Sequence, residues 1–259
     1  MSEIVISELV KAGLSAVMAG ARVAESARAS NVVALKGNLR DIVTQVDLDI
    51  SKLIVEQFTS KGWAAVSEEM LADTILPAEC WVIDPIDGTV NYANGLPQYA
   101  ISVGWVKEDA FLLGAICAPA LDELYLTLNT KRALLNGKPF VHVHQDCDSA
   151  LVAASFAPNP GLDEYALFQQ VNKATRGCLR TGSAALNICW AAVNRLQVAY
   201  GFGAKLWDVA GALAVARAAG CEVRVVPCAQ SLTLDYCVGS KEVVDHIISM
   251  ASAHGLWKE

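Results

Sequence analysis

The chain has 259 residues and a formal net charge of −7, with 54% apolar and 18% charged residues. A chain of this length buries a substantial core, and the high apolar fraction excludes a disordered protein. The acidic balance and the absence of a basic cluster argue against nucleic-acid binding as the main activity, and agree with a site that meets anionic substrates through metal ions.

Cysteine usage and the N-terminal region bear on the cellular location. The eight cysteines include no Cys-x-x-Cys pair, so zinc-ligand spacing is absent and we expect reduced, buried thiols. We recognise no secretory signal, and the uncharged span Ala12–Ala21 is shorter than a bilayer requires. These features predict a cytoplasmic protein.

The first half of the chain, residues 1–148, is predicted to place two helices before a run of strands. Residues 3–29 have the apolar stripe of a long helix, residues 31–40 form a loop or short hairpin, and helical spacing resumes over Asp41–Gln57. Asn136-Gly137 is a strong hairpin signal. The predicted strands are Gly62–Val66, Trp81–Ile83, Ala100–Val106, Ala110–Ala118, Glu123–Leu128 and Phe140–His144.

The second half, residues 149–259, is predicted to mix strands and helices. The predicted strands are Ala150–Phe156, Cys178–Arg180, Gln197–Gly201, Cys221–Val226 and Tyr236–Gly239. The predicted helices are Asp163–Ala174, Ala184–Val193, Val209–Ala219 and a last one from Glu242. Runs of strands with helices between them predict layered α/β packing, with residues 1–259 forming a single domain.

The stretch Trp81–Tyr92 (WVIDPIDGTVNY) organises the chain. An apolar strand delivers Asp84 and Asp87 to a turn, and Gly88-Thr89 opens a short helix. Two carboxylates beside free helix N–H groups suit a divalent cation and a phosphate held together. The alternative is an ordinary turn, since Asp, Gly and Thr are favoured as capping residues.

Further carboxylates lie in the same local setting, at the end of an apolar run or the start of a helix. Glu68 follows Ala64–Val66, and Asp208 precedes the helix Val209–Ala219. Taken alone, Asp208 is more typical of a helix N-cap, and Glu68 and Asp47 of solvated residues. Together with Asp84, they match the oxygen ligands that Mg²⁺ prefers.

The motifs resemble those of the inositol monophosphatases, the lithium-sensitive, magnesium-dependent phosphomonoesterases. Five matches occur in the family's order and cover nearly the whole length: DIVTQVD at Asp41–Asp47, Ser67-Glu68-Glu69, WVIDPIDGTVNY at Trp81–Tyr92, RTGSAALN at Arg180–Asn187 and LWDVAG at Leu206–Gly211. The resemblance implies a layered α/β fold, the five-layered αβαβα sandwich of the inositol monophosphatase and fructose-1,6-bisphosphatase type, usually dimeric.

The resemblance also implies two to three Mg²⁺ ions in each active site. Glu68, Asp84 and the Ile86 carbonyl would hold the first ion, and Asp84, Asp87 and Asp208 the second. Glu68 would reach the third more weakly, and it is counted among the catalytic residues.

The implied reaction is an in-line attack of water on phosphorus. Thr89, paired with Asp47, would orient a metal-bound water and help to deprotonate it, and the backbone N–H groups of Gly88 and Thr89 would bind the phosphate. The substrate contacts that the resemblance implies are Gly88, Thr89, Asp87, Ser183, Ala184, Lys205 and Asp208.

For the other candidate residues, an ordinary structural role competes with the functional one. Lys36 matches a family loop lysine near the metals but is as typical of a plain surface lysine, and Gly-Ser before Ala184 is also ordinary helix capping. His142 and His144 share one face of a predicted strand, and without a third ligand we expect exposed strand residues. A Ser-His-Asp hydrolase is poorly supported, since Gly-x-Ser-x-Gly is absent.

The choice of substrate rests on departures from the family pattern. Gly201 stands where inositol phosphatases carry a glutamate that binds sugar hydroxyls, and Lys205 is placed to meet an anionic part of the substrate or to point into solvent. Inositol monophosphate is the default substrate, a small phosphorylated metabolite. Fructose-1,6-bisphosphatase, histidinol-phosphatase and 3′-phosphoadenosine 5′-phosphate phosphatase remain open, as does a regulatory protein that retains the fold and binds a macromolecular partner.

Overall fold

The computed structural model describes residues 3–27, 42–70, 76–147, 149–157, 159–228 and 232–258, and the backbone of residues 32–35. The helices of these ranges are α1 (Glu3–Ser26), α2 (Gln45–Thr59), α3 (Thr89–Ala93), α4 (Leu162–Ala174), α5 (Ala184–Ala192), α6 (Leu206–Ala219) and α7 (Lys241–Ala253). The strands are β1 (Val32–Leu35), β2 (Ile42–Thr44), β3 (Ala65–Ser67), β4 (Glu79–Asp87), β5 (Ala100–Lys107), β6 (Ala110–Ala118), β7 (Glu123–Asn129), β8 (Arg132–Leu135), β9 (Lys138–Phe140), β10 (Leu151–Ser155), β11 (Gly177–Leu179), β12 (Val198–Lys205), β13 (Glu222–Pro227) and β14 (Thr233–Gly239).

The chain forms two large sheets, the first from the first half of the sequence and the second from the second half. The first has seven strands in the order β3-β4-β5-β6-β7-β8-β9, antiparallel except for the parallel pair β3–β4. The second has five strands in the order β11-β10-β12-β14-β13, with β10, β11 and β12 parallel and the remaining pairings antiparallel. A small antiparallel ribbon, β1–β2, lies outside both sheets.

The helices and sheets alternate in five layers. Helices α1 and α2 cover one face of the seven-stranded sheet, α5 and α6 lie between the two sheets, and α4 and α7 cover the far face of the five-stranded sheet. Three apolar clusters fill the gaps, and the central one joins both sheets through α5 and α6. The expected αβαβα sandwich is therefore confirmed.

The backbone of helix α6 packs directly against the backbone of the seven-stranded sheet. A Cβ added at Gly114 of β6 would lie 2.0 Å from the Gly211 carbonyl oxygen, and one added at Gly211 would lie 2.6 Å from the Val103 oxygen. Only glycine permits so close an approach of backbone to backbone. Because α6 carries Asp208 in its first turn, this packing fixes the distance from Asp208 to the sheet.

Helix α1 is long and apolar enough to cross a membrane, judged by length and composition alone. In the structure its apolar stripe, which includes Leu9, Ala16 and Val17, is buried in the cluster that also contains Trp81 and Ile101. This burial is what a core helix of a globular domain shows.

Several element boundaries differ from the sequence predictions. Ile42–Thr44 is a strand, and the helix predicted from Asp41 begins at Gln45, because the Thr44 side chain caps it. Strand β4 continues through Pro85 to Asp87, where a bulge accommodates the proline. Strand β9 ends at Phe140, so the strand predicted to reach His144 was wrong beyond that residue.

Candidate active site

A pocket of about 490 Å³ is lined by residues from both sheets, and its volume is within the range usual for small-molecule sites. The end of β4 and the turn after β3 form one side, and the ends of β10 and β12 form the other. The first residues of α5 and α6 complete the wall. The pocket therefore depends on both halves of the chain.

Three carboxylates converge at one end of this pocket. Glu68 follows β3 directly, Asp84 lies on β4, and Asp208 lies in the first turn of α6. One carboxylate oxygen from each of the three lies within 4.8 Å of the others. The buried Asp84 Oδ1 has no hydrogen-bond partner among the described residues. An unpaired oxygen in such a donor set fits a hard divalent cation.

The electrostatics of the cluster point the same way. Burial raises the pKa of Asp84 well above its usual range, and the charges of Glu68, Asp87 and Asp208 raise it further. Burial, followed by the charges of Glu68 and Asp87, likewise raises the pKa of Asp208. Mutually repelling buried carboxylates are costly without a counter-charge. A bound divalent cation would remove that cost.

The spacing of Asp84 and Asp87 is explained by the bulge in β4. Asp84 pairs with Ser102 and Asp87 with Ala100, so three steps along β4 face only two along β5. Residues three apart on a regular strand point to opposite faces, and the extra residue of a bulge cancels that alternation. Both carboxylates therefore line the same pocket.

Asp87 lies in the pocket wall but is bound to the start of α5. Its Oδ1 accepts a hydrogen bond from the Ala184 N–H at 3.1 Å, and its Oδ2 accepts one from the Ala185 N–H at 2.8 Å. The Ser183 hydroxyl donates to the same Oδ2 and caps α5 by accepting from the Leu186 N–H. These bonds oppose the burial that raises the pKa of Asp87 to about 6.

Ser183 was predicted to contact substrate, and the structure places its side chain beneath Asp87. Ser183 is only 1% exposed, and its hydroxyl is engaged with Asp87. Its burial argues against direct substrate contact and gives it a positioning role. The neighbouring Ala184, by contrast, lines the pocket.

Thr89 and Asp47 are brought into direct contact, although they are 42 residues apart. The Thr89 hydroxyl lies 3.0 Å from Asp47 Oδ1 and 2.9 Å from the Ile86 carbonyl oxygen, and both of these atoms accept. Asp47 is fully buried, and its Oδ2 accepts from the N–H of Thr44 at 2.9 Å and from the Thr44 hydroxyl. The carboxylate is therefore held in one orientation.

The turn that precedes Thr89 requires glycine. Gly88 has φ 92°, and a Cβ there would lie 2.8 Å from the Gln98 carbonyl oxygen. Helix α3 has only five residues, so its start offers a short turn of backbone N–H groups rather than a full helix terminus. Phosphate binding by Gly88 and Thr89 stays a prediction.

A hydroxyl pair that was not predicted joins α2 to the strand before Glu68. Ser51 lies one turn after Asp47, and its Oγ donates to the Ser67 Oγ at 2.7 Å. Both serines are 1% exposed. The pair therefore ties the helix that carries Asp47 to the strand end that carries Glu68. No local pattern could reveal the pair, since the two serines are 16 residues apart.

The pocket lining also includes aromatic and cationic side chains. Phe156, Tyr165, Arg180 and Phe202 line the pocket together with the predicted Lys205. Lys205 is exposed, with its Nζ 5.9 Å from the Trp207 ring centre. Phe156, Tyr165 and Phe202 were missed because they come from separate elements and belong to none of the motifs. Arg180 begins the motif RTGSAALN but was not named as a site residue.

Two other predictions concern residues away from this pocket. His142 is buried and not an exposed strand residue: its Nδ1 donates to the Ala191 carbonyl oxygen at 3.1 Å, and its Nε2 accepts from the Ser240 hydroxyl at 3.0 Å. His144 is exposed and accepts from the Lys241 N–H at 3.1 Å. Lys36 lies outside the described residues.

Comparison with known proteins places this geometry in a family. The sequence profile of the inositol monophosphatase family matches residues 6–248. Inositol monophosphatase 1 of Solanum lycopersicum is 31% identical over 198 residues, 70% of each chain. A fructose-1,6-bisphosphatase/inositol-1-monophosphatase of Aquifex aeolicus is 30% identical over 223 residues, 83% of each chain.

A solved structure shows the same fold. The extragenic suppressor protein suhB from Bartonella henselae superposes with a TM-score of 0.84, covering 94% of this chain and 98% of its own, at 22% identity. At that identity the likeness bears on the fold alone.

Proposed function

Because the chain belongs to the inositol monophosphatase family, whose members are metal-dependent hydrolases of small phosphoric monoesters, we propose that it hydrolyses such an ester with Mg²⁺. The observation that carries this proposal is the convergence of Glu68, Asp84 and Asp208 within 4.8 Å beside the Thr89–Asp47 pair. Bound Mg²⁺ would supply a Lewis acid that lowers the pKa of water and neutralises charge on the phosphate.

The chain's own residues would hold the ions in an arrangement set by the fold. Glu68, Asp84 and the Ile86 carbonyl would bind one ion, and Asp84, Asp87 and Asp208 a second, with a third held more weakly at Glu68. Two to three ions per site is the number we propose. One lone pair of Asp87 Oδ1 already accepts a hydrogen bond from the Ala184 N–H. This bond fixes the direction of the second lone pair of Oδ1, which would bind the ion.

Thr89 and Asp47 would move the proton. When the Thr89 hydroxyl donates to Asp47, its own lone pairs face the pocket and can accept a hydrogen bond from the attacking water. Asp47 stays oriented because Thr44 occupies its other oxygen. The phosphate would rest on the backbone N–H groups of Gly88 and Thr89.

Inositol monophosphate is the default substrate, and a fructose bisphosphate, histidinol phosphate or 3′-phosphoadenosine 5′-phosphate are the alternatives. The Aquifex relative named for both fructose-1,6-bisphosphatase and inositol-1-monophosphatase activities supports the first alternative. A regulatory role that binds a macromolecular partner is a second function, and it is compatible with catalysis because every proposed metal carboxylate is present.

We extend the proposal to the assembly and setting of the protein. The chain would form a single domain of two halves, divided near residue 148. It would act as a homodimer, and Li⁺ would inhibit it. A cytoplasmic location is supported by its eight free cysteines, since a reducing compartment keeps thiols free.

The test is phosphate release from inositol 1-phosphate by the purified protein. We expect release with Mg²⁺, loss of release in EDTA and suppression by Li⁺. Asp84→Asn should lower release by at least a hundredfold, whereas the matched control Asp109→Asn, in the exposed β5–β6 turn, should behave like the unmodified protein. Full activity in EDTA would refute the mechanism. A panel of the four substrate classes would rank them.

A further inference from the structure

Ser155 is the last residue of β10, and it lines a mostly apolar part of the pocket wall. The side chain is partly exposed, so its hydroxyl can meet a ligand. An apolar wall with few, directed polar groups suits the organic part of a substrate better than its phosphate. The lining residues next to Ser155 in the chain and along β12 are Ala154, Phe156, Ala157, Phe202, Gly203 and Ala204.

Two buried side chains donate hydrogen bonds to the Ser155 hydroxyl oxygen. The Tyr236 hydroxyl lies 2.8 Å from Ser155 Oγ, and Asn187 Nδ2 lies 3.1 Å from the same atom. Tyr236 is fully buried, and its hydroxyl has no other acceptor in the part of the chain that the structure describes. Because a buried hydroxyl needs an acceptor, the Tyr236 hydrogen goes to Ser155.

The orientation of the Asn187 amide is fixed by Thr181. The Thr181 hydroxyl donates to Asn187 Oδ1 at 2.6 Å, a distance typical of an O–H···O bond and short for an N–H···O bond. The amide therefore presents its oxygen to Thr181 and an Nδ2 hydrogen to Ser155. Asn91, from the first half of the chain, donates in turn to the Thr181 carbonyl oxygen at 2.8 Å.

These bonds make Ser155 a hydrogen-bond donor only. A serine hydroxyl has two lone pairs and one hydrogen, and Tyr236 and Asn187 occupy both lone pairs. None of the described residues accepts the Ser155 hydrogen. Since three of the four tetrahedral positions around Oγ are occupied, the direction of the O–H bond is fixed, and in this lining residue it is left to the pocket.

Glycine at position 201 makes this arrangement possible. Gly201 pairs with Ser155 across β10 and β12, and an added Cβ would lie 2.8 Å from Tyr236 Cε1 and 3.2 Å from Ser155 Cβ. A side chain at this position would therefore displace the Tyr236 ring from Ser155. Where inositol phosphatases carry a glutamate that accepts from sugar hydroxyls, this chain has a donor beside a glycine, and the hydrogen-bonding polarity is reversed.

From these observations we propose that Ser155 is a specificity-determining residue that donates to an acceptor atom without a hydrogen, such as a carbonyl oxygen, in the organic part of the phosphate ester. The inference rests on the proposed phosphatase function and specifies which esters it prefers. A substrate hydroxyl is bound less well here, because it accepts from Ser155 only where its own hydrogen finds another acceptor. Tyr236 and Asn187 are positioning residues, since they act through Ser155.

The test compares three esters that differ at one carbon. Dihydroxyacetone phosphate carries a carbonyl at carbon 2, glycerol 3-phosphate a hydroxyl and 3-hydroxypropyl phosphate a methylene. We measure kcat/KM for each with Mg²⁺. The carbonyl ester should exceed the methylene ester by about fivefold, the factor of about one hydrogen bond, and the hydroxyl ester should lie between them.

Two variants probe the hydroxyl and its direction. Ser155→Ala should bring the three kcat/KM values to about the same level by lowering that of the carbonyl ester. Tyr236→Phe frees a lone pair of Ser155 to accept from a substrate hydroxyl, and should raise glycerol 3-phosphate at least twofold relative to dihydroxyacetone phosphate. The matched control Tyr200→Phe, at another buried tyrosine outside the pocket lining, should leave the ratios unchanged. Because Ser155→Ala leaves two buried donors unpaired, Tyr236→Phe decides the inference if the alanine variant does not fold.

The outcomes separate failure of this inference from failure of the proposed function. Equal kcat/KM values for the three esters would overturn the inference and leave the phosphatase assignment intact. The same holds if Ser155→Ala lowers all three equally, since the hydroxyl would then act on the phosphate. If the three esters are not hydrolysed, calorimetric titration of each in Ca²⁺ decides the inference: about fivefold tighter binding of the carbonyl ester supports it, and equal affinities overturn it. The proposed function fails only if inositol 1-phosphate and the rest of its substrate panel are not hydrolysed either.

Discussion

Replacing Gly114 by alanine should move α6 and disturb the carboxylate cluster in the pocket. The new Cβ would lie 2.0 Å from the Gly211 carbonyl oxygen and 2.7 Å from its carbonyl carbon, against about 3.5 Å for an ordinary contact. The obstacle is backbone, so relief requires α6 to shift by about 1 Å or more. Overpacking of this kind costs about 3 kcal/mol, which corresponds to a fall of about 6 to 12 °C in Tm for a chain of this size.

The displacement should also reach the chemistry, because Asp208 lies three residues before Gly211 on the same helix. A misplacement of about 1 Å lowers turnover by about a hundredfold. The assays are thermal unfolding and the Mg²⁺ concentration for half-maximal phosphate release. Gly161→Ala is the control, since Gly161 has an ordinary φ of −72° and nothing within 4 Å of an added Cβ. A Gly114→Ala variant with the Tm and Mg²⁺ response of the control would refute this account of the packing.

Three further predictions concern the charges and hydroxyls of the site. Asp84→Asn should raise the Tm in EDTA while it abolishes Mg²⁺-dependent phosphate release, because it removes one charge from a repelling cluster; a lowered Tm in EDTA would contradict this. Burial raises the pKa of Asp87 from 3.8 to about 6 in the folded protein. A carboxyl group with a raised folded pKa favours the folded state at low pH, and this contribution is lost as the pH rises through the folded pKa. The gain in Tm from saturating Mg²⁺ should therefore be larger at pH 8 than at pH 5, and equal gains would oppose the reasoning. Ser51→Ala and Ser67→Ala should each cost about 1 to 3 kcal/mol by orphaning a buried hydroxyl, and the double variant, measured by urea unfolding, should cost less than their sum; strict additivity would show that the two hydroxyls are not coupled.

The carboxylate cluster of the site could be predicted from the sequence because its residues stand beside recognisable element boundaries. Asp84 follows a buried apolar run, and Asp208 opens an Ala-rich helix, so pattern alone placed both at the end of an element. The aromatic lining residues and the role of Arg180 in the pocket wall could not be predicted in the same way. Phe156, Tyr165 and Arg180 meet only because β10, α4 and the segment after β11 converge in the fold.

The segment after β9 shows how alternation can mislead. The sequence Val-His-Val-His predicts a strand with one apolar face, yet Val141 and Val143 are 71% and 60% exposed, and His142 is 8% exposed. The hydrogen bond that His142 donates to the Ala191 carbonyl and the one that it accepts from the Ser240 hydroxyl compensate for its burial. These partners are 49 and 98 residues away, so no local pattern could reveal them.

The stretch around Pro85 combines a local irregularity of one strand with contacts to distant parts of the chain. A bulge in β4 puts Asp84 and Asp87 on one face, and proline is tolerated there because a bulge leaves its residue outside the ladder. Asp84 then faces Glu68 and Asp208, while Asp87 holds the first N–H groups of α5, which belongs to the second half of the chain. The bulge in this one strand thus brings Asp84 to the carboxylate cluster, and through Asp87 it also joins the two halves of the chain. Loss of Asp87 should for this reason weaken the docking of α5 as well as metal binding, a double effect that the loss of Asp84 does not share.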